Sequence, residues 1–219
     1  MQLLTSSVGR KILMAITGQL MVLFVVVHLL GNSSIFIPGG LNAYAEHLHA
    51  LPPLVWAFRL AMLTFLVVHG IYGTQITLEN SAANPQGYAV KRQLKANFSS
   101  ENMIWTGILI LAFIVYHLLH FTVRVTPDVA AFAGQIPGDV FGMVTTSFSH
   151  AIIALVYVAA MVALFLHLKH GIQSFFQTMG WNNDRTLPAI SMAGKVVAVI
   201  FLVGYSSIPI FILTGILSK

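Results

Sequence analysis

The chain has 219 residues, of which 57% are hydrophobic and only 8% charged, where a soluble domain carries about a quarter charged residues. Eleven Lys and Arg against six Asp and Glu give a net charge of +5, and cysteine is absent. Composition therefore excludes a soluble globular domain, and the missing thiols exclude disulfides, thiolate-held iron–sulfur clusters and thioether-attached haem.

Apolar stretches of about 20 residues suffice to cross a bilayer. Five occur, at 12–30, 54–78, 103–125, 151–176 and 190–217. They predict an all-α membrane protein, a bundle of five transmembrane helices over about 9–31, 53–79, 101–125, 147–177 and 189–217, all within one domain, 1–219. Spans and short loops use up nearly the whole chain, leaving no room in it for a separate soluble domain.

The first stretch follows Arg10-Lys11 as a secretory signal would. It is too long for one, and no small-x-small site follows it before Gly31-Asn32, so it reads as a retained helix. It carries His28. The second carries Arg59 and His69, the third His117 and His120, and the fourth His167 and His170. The fifth has no histidine, and Pro209 predicts a kink in it.

Arg10 and Lys11 precede the first helix; Lys91, Arg92 and Lys95 lie in the second loop; Arg185 and Lys195 lie around the fourth. The first loop has no Lys or Arg, and the only charges in the third are Asp128 and Asp139. By the positive-inside rule the N-terminus and the second and fourth loops face the cytoplasm.

At about 1.5 Å per residue, His28 lies roughly 27 Å beyond Arg10, near the outer face. His69, on the descending second helix, lies near the cytoplasm. His117 is again outer and His167 inner. Depth thus pairs His28 with His117 and His69 with His167. Both outer histidines begin His-Leu-Leu, and both inner ones have glycine four residues on, Gly73 and Gly171. Such a glycine shares a helix face with the histidine and leaves room for a flat macrocycle.

A lone intramembrane histidine serves readily as a hydrogen-bonding or proton-relay group. Four of them, on four helices and matched in depth, are what two bis-histidine haems stacked across a membrane require. Zinc fits poorly, since each level offers two good ligands and no adjacent carboxylate.

These residues resemble the di-haem cytochrome b membrane anchor of succinate:quinone oxidoreductases (succinate dehydrogenase and fumarate reductase), in the class where one five-helix subunit holds both haems. The likeness rests on Ser6-Ser7-Val8-Gly9-Arg10-Lys11, Thr17-Gly18 and His28-Leu29-Leu30-Gly31-Asn32. Further along it rests on Asn42 with Leu51-Pro52, His69-Gly70-Ile71-Tyr72-Gly73, Phe113-Ile114-Val115-Tyr116-His117, and His167 with Gly171, Ser174-Phe175 and Gly180.

The resemblance implies that His28, His69, His117 and His167 are axial ligands of two haem b irons. It implies a multi-pass anchor in a bacterial cytoplasmic (inner) membrane, acting in a respiratory chain with a flavoprotein and an iron–sulfur subunit. In that complex it would exchange electrons with a quinone, usually menaquinone/menaquinol. A heterotrimer, or a dimer of heterotrimers, is the assembly this allows; nucleic acid has no place in it.

The basic stretch 91–95 and the region around Arg185 would form a cytoplasmic docking rim, or only set topology. Some members of the family carry a glutamate two residues before the fourth-helix ligand, where this chain has Phe165. Proton movement, if coupled, must use other groups.

Arg59, His120 and His170 are candidates to meet a haem propionate or the quinone, since Arg binds carboxylates bidentately; snorkelling is the plain alternative for Arg59. Glu46, beside His47 and His49, is the only acidic residue of the first loop and the candidate for proton exchange at a quinone site. Capping or solvation of a short loop helix is its plain alternative. Two other functions stay open on sequence alone: a cytochrome b serving another quinone-linked dehydrogenase, and a haem-free proton-coupled transporter.

Overall fold

The computed structural model describes residues 3–83, 98–130, 132 and 138–217, and among these the backbone is helical with no strand. The helices are α1 (Ser7–Ser33), α2 (Gly40–His49), α3 (Pro52–Ala82), α4 (Phe98–Glu101), α5 (Met103–His117), α6 (Pro127–Ala130), α7 (Val140–Phe148), α8 (Ala151–Thr178) and α9 (Leu187–Leu213). Five segments are long and apolar enough to cross a membrane: Ser7–Phe36, Pro52–Ala82, Met103–Ala130, Ala151–Thr178 and Leu187–Leu213. The five-helix bundle that hydropathy predicts is present.

Local chemistry explains where these helices start and stop. The Ser6 hydroxyl accepts from the Gly9 amide at 3.0 Å and caps α1. Prolines open α3 and α9, where a missing N–H costs nothing. At the end of α8, Gly180 takes φ 71° and Trp181 N–H reaches the Phe176 carbonyl at 2.9 Å, a Schellman stop.

Predicted boundaries move in several helices; the expected fifth, 189–217, runs from Leu187 to Leu213. The expected fourth helix begins at 147, but Ser147 and Phe148 end α7, and His150 is extended (φ −81°, ψ 111°) before α8 starts at Ala151. The expected third helix, 101–125, breaks at Asn102, and past His117 it widens into a π-helical turn, Leu118–Val123. Arg124, in the left-handed region at φ 62°, ends that turn. Pro209 sits buried inside α9.

In lipid, helices gain little from the hydrophobic effect when they meet, so close packing and hydrogen bonds hold them. α8 lies along α9 and against α5, and α1 packs on α3, α8 and α9. One core joins Leu29, Leu168, Ile172, Ala198 and Phe201 of α1, α8 and α9. A second, with Ile35, Leu41, Phe148, Tyr157, Ile208 and Ile212, lies where α2 and α7 roof the bundle. The Asn42 side-chain oxygen Oδ1 accepts from Phe141 N–H at 2.8 Å and ties the two roof helices together. At the opposite end Arg10 of α1 holds Glu79 of α3 through two hydrogen bonds of 2.6 and 2.9 Å.

Candidate cofactor site

The four intramembrane histidines meet in two pairs at different levels. His28 of α1 and His117 of α5 have ring centroids 5.9 Å apart and planes at 82°. His69 of α3 and His167 of α8 have centroids 6.2 Å apart and planes at 65°. All four rings are half-buried. Tyr157, which touches His117, lies ten residues before His167 on α8, so the levels are about 15 Å apart.

A metal ion held between two imidazoles, with metal–nitrogen bonds of about 2 Å, sets the ring centroids about 6 Å apart. Both pairs meet that spacing. Among the described residues no cluster of three or more His, Cys, Asp or Glu could hold an ion. Each pair thus supplies two nitrogens, and a metal there must bring its remaining donors in its own macrocycle. A haem fits this donor set.

Hydrogen bonds select which ring nitrogen is free. His69 Nδ1 lies 2.9 Å from the Met14 carbonyl, which can only accept, so Nδ1 carries the proton. His167 Nδ1 lies 3.0 Å from Thr106 Oγ1. That hydroxyl spends its one proton on the Asn102 or Met103 carbonyl (3.1 and 3.0 Å), so toward His167 it accepts. Both inner rings therefore present an unprotonated Nε2. The Asn32 amide donates to the His28 carbonyl at 2.7 Å and stands 3.3 Å from both nitrogens of the His28 ring.

Small residues make room for the rings. A Cβ at Gly18 would meet His69 Cε1 at 2.9 Å, so the close approach of α1 to this ring requires glycine there. A Cβ at Gly107 would touch His167 Cε1 at 3.5 Å. Around a Cβ at Gly171 nothing lies within 4 Å, while at Gly73 it would meet only Met14 Sδ, at 3.6 Å.

The other sequence candidates fall in varied settings. His120, expected at a propionate or quinone, is fully buried, and Tyr157, Asp128 and Ser147 lie within hydrogen-bond reach of its ring nitrogens. The π-helical turn and the roof helices fold over it, which three-residue spacing from His117 does not reveal. Arg59 is exposed, with its guanidinium 5.2 Å from the Trp56 ring centroid. Glu46 and His47 are exposed on the roof helix α2; His49 is exposed too, its Nδ1 2.7 Å from the Ala45 carbonyl. His170 is half-buried on α8, one turn from His167, and Arg185 is exposed. Lys91, Arg92 and Lys95, half of the expected docking rim, lie outside the described residues.

Sequence reasoning missed Tyr157, Thr106, Ser147 and the Met14 carbonyl, and read Asp128 and Arg10 only as topology charges. A tyrosine inside an apolar run is the one signal that was available, because a buried phenol needs a partner.

A sequence model described as succinate dehydrogenase/fumarate reductase transmembrane subunit matches residues 80–202. No curated protein and no solved structure matches the chain.

Proposed function

Because the chain belongs to the succinate dehydrogenase/fumarate reductase transmembrane subunit family, we propose that it is the di-haem anchor of such a complex. In this reading it carries electrons between a cytoplasmic iron–sulfur subunit and membrane quinone, with succinate and fumarate handled on a flavoprotein partner. One observation carries the proposal: two histidine pairs with centroids 5.9 and 6.2 Å apart, at two levels of one bundle.

His28 and His117 would hold the outer haem and His69 and His167 the inner one. When bound, the haems supply one-electron carriage between the faces of the membrane. The chain's own part is to fix ligand tautomers through Met14 and Thr106, to exclude water with the roofed bundle, and to orient the cofactors. The quinone, most simply menaquinone, would react at the α2/α7 end, where Glu46 offers a solvent-facing carboxylate for proton exchange. Arg59 and His170 remain the groups proposed to meet propionates or quinone. The membrane would be a bacterial inner membrane with the N-terminus cytoplasmic, and Arg185 would stand on the rim that docks the partners.

Pairwise haem loss tests this reading. In the purified complex, His28→Ala and His117→Ala are each expected to lose one haem, the same one by its spectrum and potential. His69→Ala and His167→Ala should lose the other. Loss of both haems from every single variant, or of neither, would contradict the pairing. The haem-free transporter is the competing reading, and nothing in the geometry favours it.

A further inference from the structure

The outer pair has a feature that the inner pair lacks. From His117 a chain of hydrogen bonds runs through α8 and the π-helical turn to a carboxylate at the roof. His117 Nδ1 lies 3.2 Å from the Tyr157 hydroxyl, and that hydroxyl lies 2.8 Å from His120 Nδ1. His120 Nε2 lies 2.8 Å from Asp128 Oδ2. Ser147 Oγ lies 2.6 Å from the same carboxylate oxygen and 2.7 Å from His120 Nε2. His120 and Ser147 are fully buried, and the Asp128 side chain is 11% exposed.

We infer that Asp128, His120 and Tyr157 form a directional relay that fixes the tautomer of His117 and lowers the reduction potential of the haem it ligates. The inference rests on the reading of His117 as a haem ligand. Direction follows from counting protons. An ionised carboxylate only accepts, so Ser147 donates to Asp128 and so does His120 Nε2–H. In the neutral ring His120 Nδ1 is then a lone pair and must accept the Tyr157 proton. Tyr157 has no second proton, so toward His117 it accepts, and His117 Nδ1 carries the hydrogen. That leaves Nε2 of His117 free for iron.

The inner ligands reach neutral acceptors, a carbonyl and a hydroxyl. The outer ligand reaches an anion through two polarisable links, and hydrogen bonds in a dry interior strengthen one another along such a chain. Charge donated toward the imidazole makes it the stronger base, which favours the ferric iron. Asp128, His120 and Tyr157 are thus positioning and tuning residues; none of them touches the metal.

The test uses the intact complex and titrates both haems, with the inner one as internal control. Tyr157→Phe keeps the ring but cuts the relay; Asp128→Asn keeps an acceptor for His120 but removes the charge. Each is expected to shift the outer haem's reduction equilibrium about tenfold toward the ferrous form, about 59 mV for one electron, and to leave the inner haem unmoved. The double variant should shift no further than Tyr157→Phe alone, because the charge acts through the hydroxyl. The ferric low-spin EPR signal of the outer haem should change in step.

Additive shifts would mean that Asp128 acts through space and would overturn the relay, as would an unmoved outer potential. Should Tyr157→Phe lose the outer haem, Asp128→Asn with the EPR signal carries the same test. A wild-type complex holding no haem would instead sink the functional reading, and that outcome is distinct from either.

Discussion

Thr106 and Gly18 flank His167 and His69, the pair proposed to hold the inner haem. Thr106 Oγ1 accepts from His167, and an unpartnered buried N–H costs about 1–3 kcal/mol. Thr106→Val should therefore weaken retention of the inner haem about tenfold in a haem-loss assay. Thr106→Ser should restore it; equal loss in both variants would point to packing instead. Gly18→Val places a side chain where a Cβ alone would already stand 2.9 Å from His69 Cε1. The purified variant should contain one haem in place of two, with the outer spectrum intact, and two haems would contradict the assignment of His69. The four histidines and their depth were legible because charge and helical rise are one-dimensional quantities. Their hydrogen-bond partners were not, since Met14, Thr106 and Tyr157 reach them from other helices. The partners of His120 were hidden for the same reason: they arrive from α6, α7 and α8.

At the level of elements, the roof deserves weight equal to the spans. The loop 126–149 reads from sequence as a connection carrying two acids. Its described residues include α6 and α7, which bring Asp128 and Ser147 onto His120. Asp139 also acts locally, accepting from Gly142 N–H at 2.7 Å to cap α7. The Asn42–Phe141 bond then holds α7 against α2. Asn42→Ala removes that acceptor at a cost of about 1 kcal/mol. Amide hydrogen exchange should quicken in Gly40–His49 and Val140–Phe148 while both haems are retained; unchanged exchange would show that apolar packing alone holds the roof. Span positions followed from hydropathy to within a few residues. The breaks at Asn102 and Ser149 did not, because a run of apolar residues looks the same through a π-helical turn or a helix–helix junction as through a straight helix.

For the molecule as a whole, the proposed membrane orientation rests on the positive-inside rule. The first loop has no Lys or Arg between 31 and 53, while Arg10 and Lys11 open the chain's first helix. A cysteine-free chain makes this directly measurable. In intact cells a membrane-impermeant maleimide should label Ala50→Cys, exposed at the end of α2, and leave Lys11→Cys unlabelled until the cells are opened. The reverse pattern would place the His28–His117 level at the cytoplasmic face and with it the partner subunits.

The stacking of two histidine pairs is the claim on which the rest depends. It is tested most directly by quantifying haem per polypeptide in the purified wild-type complex, together with its dithionite-reduced minus oxidised spectrum. Two low-spin b-type haems per chain, both reducible and with separable potentials, are the expected result. One haem would mean that only one pair ligates, and none in folded protein would contradict the account.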